Sequence, residues 1–413
     1  MYCSYSFYFM PILISEPVRA RPVPAGSLAL WQLGFRPFYL LAALFAALSI
    51  PLWALQFSGL TASTGLRGPL WHAHEMVFGY TLAIVVGFLF TAGRNWSGQA
   101  TPTGRPLMAL AGLWVVARVL VLTPFELAAA VVNVAFPLLA AWSLWRALRN
   151  GNNKRNYFFV PLLIGLAMAA AVVHASQLGW IPASWTALPA GLGITVALDV
   201  LMFIVAVMAG RVVPMFTNNG VTGAGARRVP HVERLALGSV LALLAADLLQ
   251  LHGVLLAAVL LVALLAHAAR WWLWNPWATR HTPLVWVLHL AYAWLPVHLA
   301  LRAAAELGWV APGLAAHALT VGLIGGITLG MITRTTLGHT GRLLQAGPVE
   351  VAAFLCASGA ALARVGLPLI DAAWLMTAVG LSAALWSAAF VLYLWRYTPF
   401  LLRARIDGLA GWG

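Results

Sequence analysis

Twelve long apolar runs dominate the chain, at about 37–56, 72–93, 107–124, 126–148, 157–177, 190–213, 232–251, 254–274, 284–305, 313–333, 348–366 and 372–396. A helix needs about 20 mainly apolar residues to cross a bilayer. The runs are continuous and rich in Leu and Ala, not alternating, which selects helices over a closed β-barrel. Charged residues are 8% of the 413, against about 25% in a soluble protein. That is too few to clothe a water-facing surface. The reading is an all-α, polytopic transmembrane bundle of about 12 helices. The longest connections, Phe57–Trp71 and Pro214–His231, leave no room for a folded domain. Residues 31–398 thus form a single transmembrane domain, with cytoplasmic tails at 1–30 and 399–413. The N-terminal stretch does not read as a cleaved signal, because Pro11 interrupts it and Arg19 and Arg21 follow it.

The net charge of +14 is a topology signal, not a nucleic-acid footprint, since the arginines sit in short loops between apolar runs. With the N-terminus placed in the cytoplasm, the tails and even-numbered connections hold 20 of the 24 Lys and Arg, and the opposite side only Arg67, Arg302 and Arg364. Both ends therefore face the cytoplasm. The arginines also recur. Arg36, Arg155 and Arg280 open runs one, five and nine; Arg94, Arg211 and Arg334 close runs two, six and ten. The gap within each pair is 58, 56 and 54 residues. This reads as three units of four helices, although hairpin-linked helices also place arginines at intervals.

Titratable groups inside such a chain are costly and mark function by default. Trp71-His72-Ala73-His74-Glu75 opens the second run. His72 and His74 lie about 200° apart on a regular helix and do not share a site there. Glu75, at i+3 from His72, is placed to orient that imidazole. His174, His298 and His317 fall at the same, periplasmic, depth. These five are the candidate ligands for haem iron, copper or zinc; the alternative for each is a hydrogen-bonded interfacial histidine. Arg118 and Asp199 are intramembrane charges, expected to pair. Gly322, Gly326 and Gly330 make a smooth stripe, read chiefly as a helix-packing surface. Two cysteines, Cys3 and Cys356, with no CxxC, disfavour thiolate zinc, iron–sulfur and c-type haem sites. Walker, GxGxxG, GxSxG and HExxH motifs are absent.

The strings GFRPFYLLAA (34–43), WHAHEMVFGY (71–80), TAGRNWSG (91–98), GRVVPMFTNNG (210–220) and HALTVGLIGGITLGMITRTTLGHTGR (317–342) resemble those of the NnrS family. The likeness runs from about Leu33 to Arg396. It implies a bacterial inner-membrane protein containing haem b and copper, linked to nitric oxide response and relief of nitrosative stress in denitrifying bacteria. It implies no particular reaction, electron donor or ligand set. Three four-helix units with periplasmic histidines also resemble the haem–copper oxidase catalytic subunit, but the HxH lies on the second helix and no His-His pair exists. Fold likeness of that kind does not carry function. A secondary transporter for a small anion or metal complex, and a regulatory or assembly protein without turnover, are the other readings.

Overall fold

A computed structural model describes residues 28–60, 68–181 and 189–407. Most of the expected N-terminal tail, the last six residues of the expected C-terminal one, and Cys3, Arg19, Arg21 and Arg67 lie outside the described residues; the last helix runs on to Leu402, past the expected boundary at 398. The described chain is a bundle of twelve helical rods. They are α1 (Phe35–Phe57), α2 (Gly68–Ser97), α3 (Gly104–Leu120), α4 (Glu126–Asn150), α5 (Phe159–Gln177), α6 (Pro189–Gly220), α7 (Pro230–Leu248), α8 (Val254–Leu273), α9 (Pro283–Glu306), α10 (Pro312–His339), α11 (Pro348–Ile370) and α12 (Leu375–Leu402).

Ten of these are long and apolar enough to cross a membrane. The other two differ for physical reasons. At 17 residues, α3 rises only about 25 Å, short of a full hydrocarbon core. Within α7 lie Glu233, Arg234 and Asp247. Two of those charges are spent inside the protein, Glu233 on Arg270 and Asp247 on Arg302.

Consecutive rods pack against each other, except that α2 packs chiefly on α4 and little on α3, and α1 returns to lie against α12. The contacts joining α4 to α5, α8 to α9 and α12 to α1 recur at the same place in each proposed unit. The second helix of each unit (α2, α6 and α10) is more buried than the other candidate spans. These three form the centre, where Tyr80 on α2 meets Thr328 on α10 through a 2.7 Å hydroxyl contact.

Both α2 and α10 pass through a π-helical turn directly after a histidine, at Glu75–Thr81 and Ala318–Gly325. Such turns are rare and gather at functional sites. The first is stitched by Thr81 Oγ1, which donates to the Met76 carbonyl at 2.7 Å. The glycine stripe of α10 faces α9. Side chains at Gly326 and Gly330 would collide with Ala291 and Leu288, so the stripe serves close helix packing.

Candidate metal and cofactor site

A cavity of about 330 Å³ opens among α1, α2, α6, α10, α11 and α12. Its walls are mostly apolar, with Trp53, Met76, Val321 and Trp386 among them. Two histidines enter it from the two π-turn helices. Their rings, His72 and His317, are nearly parallel, 12° between planes, with centroids 6.2 Å apart. Trp53 stacks on His72 at 4.2 Å and fixes its plane. His317 Nδ1 lies 2.6 Å from the Gly313 carbonyl. A carbonyl only accepts, so Nδ1 carries the proton and Nε2 keeps its lone pair. Arg364 also lines the cavity, and its buried Nε has no hydrogen-bond partner among the described residues.

Two imidazoles on one apolar cavity, with a guanidinium beside them, fit a haem, since imidazole is a ligand for haem iron and a propionate suits a guanidinium.

A second pair lies across the helix. His74 is fully buried, and its Nε2 sits 3.1 Å from His174 Nε2 on α5. Its Nδ1 is 2.8 Å from Glu75 Oε1, and the same oxygen accepts from Arg118 Nη1 at 2.6 Å. Arg118 Nη2 donates to Asn133 Oδ1, and Asn133 is anchored on the Ala129 carbonyl at 2.8 Å. The carboxylate accepts from Nδ1–H, so His74 Nε2 faces His174 as a lone pair. Two nitrogens on one tetrahedral ion would lie roughly 3.3 Å apart, close to the spacing here. Imidazole donors suit copper. Among the described residues, no group of three or more His, Cys, Asp or Glu gathers in metal-holding range; the site is built of pairs.

The five histidines therefore do not converge on one pocket. His72 and His317 share the cavity, and His74 and His174 touch each other. His298 stands apart, its Nδ1 held by the Ala315 carbonyl at 2.8 Å and its buried Nε2 without a partner among the described residues. Glu75 orients His74 instead of His72, because the helix changes to π geometry at that residue. Arg118 is taken by Glu75 and Asn133, not by Asp199. Asp199 faces Arg302 at 3.6 Å and shares it with Asp247.

A further polar cluster escapes sequence reasoning. Arg270 donates to both Glu233 oxygens, at 3.0 and 2.7 Å, and to Tyr292 Oη at 3.0 Å. His267 Nδ1 contacts the same phenol at 2.7 Å. Arg270 lies in the last turn of α8, where a cation is ordinary, yet it is 1% exposed. A side chain at Gly210 would strike its guanidinium, so the close approach of α6 depends on that glycine.

The model of one protein family, described as NnrS protein, matches residues 29–405. No curated protein matches the chain.

Proposed function

The chain belongs to the NnrS family, and from that premise we propose that it is a haem- and copper-binding protein of the bacterial inner membrane. In this reading it binds or converts nitric oxide and so relieves nitrosative stress. The observation that carries the reading is that His72 and His317, from two π-turn helices, line one apolar cavity with their rings 6.2 Å apart. Those two residues would hold the haem and Arg364 a propionate; His74 and His174 would hold copper. When bound, the two groups supply metal centres that coordinate nitric oxide and exchange electrons with it.

The chain's own residues do the positioning. Trp53 stiffens the His72 ring, and the Gly313 carbonyl fixes the His317 tautomer. Glu75 does the same for His74, and Arg118 neutralises Glu75 in a site that admits little water. The apolar walls matter too, because a small uncharged diatomic partitions into lipid and reaches such a cavity without a polar channel.

The test is the optical spectrum and metal content of protein purified from haem-supplied cells. A Soret band that disappears in His72→Ala and His317→Ala while copper stays, and copper that is lost in His174→Ala while the Soret band stays, is the expected pattern. Purified protein that holds neither group overturns the proposal.

A further inference from the structure

At the end of the bundle where α1 begins and α10 and α12 finish, three arginines gather. Arg36 is fully buried. Its Nη1 donates to the Phe400, Leu401 and Arg403 carbonyls at 3.2, 2.8 and 2.7 Å, capping α12. That accounts for one of its three nitrogens; Nε and Nη2 have no partner. Arg405 gives Nε and Nη2 to Asp407 at 2.9 and 2.6 Å, yet its buried Nη1 also has none. Arg342 lies with its guanidinium carbon 3.7 Å from the Phe400 ring centroid. Arg342 and Arg405 both act electrostatically on Arg36. Asp407 answers Arg405, and nearby Glu350 is taken up by Arg396, Tyr397 and the Gly347 N–H. Among the described residues, three buried donor nitrogens remain without an acceptor.

Buried cationic donors without acceptors are rare and costly. An oxyanion presenting several acceptors to a fork of guanidinium donors meets that need. The surroundings mark the level of lipid headgroups. Trp395 on α12 is 70% exposed, and Leu343 beside Arg342 is 77% exposed. Apolar side chains open to the outside next to clustered arginines describe a membrane interface.

We infer that Arg36, Arg342 and Arg405 form a phosphate-binding site whose occupant is the headgroup phosphate of an anionic phospholipid. The experiment uses the full-length protein in detergent. Thermal unfolding is followed while dioctanoyl phosphatidylglycerol, dioctanoylglycerol or inorganic phosphate is added. The phospholipid raises the midpoint and dioctanoylglycerol, with the same tails and no phosphate, does not. Arg342→Gln and Arg405→Gln each weaken the apparent affinity about tenfold, the loss of one charge-assisted hydrogen bond. Arg36 is left intact, because its replacement uncaps α12 and risks the fold. A rise of the same size with inorganic phosphate supports the site and assigns it to the free ion. An equal response to dioctanoylglycerol, or unchanged affinity in both variants, overturns it. Neither variant touches the cavity, so the result is independent of haem content.

Discussion

Glu75 serves two partners through one oxygen. It neutralises Arg118, which is 7% exposed, and it holds the His74 imidazole in the tautomer that presents a lone pair to His174. Glu75→Gln keeps the shape and removes the charge, leaving a buried guanidinium without its counter-ion. Breaking such a pair costs about 3–5 kcal/mol, and losing the orienting carboxylate behind a metal-binding His weakens metal about 10–100-fold. Both losses are expected in Glu75→Gln, read by thermal unfolding and by copper titration. Replacing Glu75 and Arg118 together with apolar residues restores much of the stability but none of the copper affinity; equal stability of the single and double variants would sink this account. The sequence already marks His72, His74 and Glu75 as a costly cluster. It hides their pairing, because i,i+3 reasoning assumes a regular α-helix and Arg118 lies 43 residues away.

Helix pairs add constraints that no single residue carries. Asp199 on α6 and Asp247 on α7 both turn to Arg302 on α9, and an apolar run alone does not show that a cation near the end of the ninth span reaches back inside. Asp199→Asn retains the Arg302–Asp247 pair and stays folded, whereas Arg302→Met strands both acids and lowers stability in thermal unfolding by about 3 kcal/mol or more. The glycine stripe makes a second demand at this scale. A Cβ at Gly330 would lie 2.8 Å from Leu288 Cδ2, so Gly330→Leu must push α10 off α9. Overpacking of this kind costs about 1–3 kcal/mol, and the shifted helix carries His317 with it. Gly330→Leu is therefore expected to lower haem content and leave copper in place. The exposed Gly338, whose nearest Cβ neighbour is 3.7 Å away, tolerates Ala in the same assay.

For the molecule as a whole, run length and arginine placement made the helix count legible, because lipid fixes the length of a span and the cytoplasmic side collects cations. Ring closure was not legible. It depends on contacts between α1 and α12, from opposite ends of the chain, and no local pattern encodes them. The closure has a physical consequence. The Ala29 N–H donates to the Leu402 carbonyl at 2.7 Å, so the two ends of the bundle already touch. If each unit of four helices is a repeated module, the break in the ring can move to another junction between units. Joining the ends by a short flexible linker and reopening the chain at the turn after Asn150 gives the order α5 to α12 followed by α1 to α4. Every buried helix pair is preserved, and both new ends emerge on the side that held the old ones. Such a permutant is expected to insert, to unfold within a few degrees of the parent, and to keep haem and copper in parental ratio. A permutant that keeps its helix content but loses both groups would show that the present chain order is needed to bring the histidine pairs together. Opening the chain at Gly98 instead cuts inside a unit, between α2 and α3, and separates Arg118 from Glu75 in chain order. The modular account requires that second permutant to be the less stable of the two.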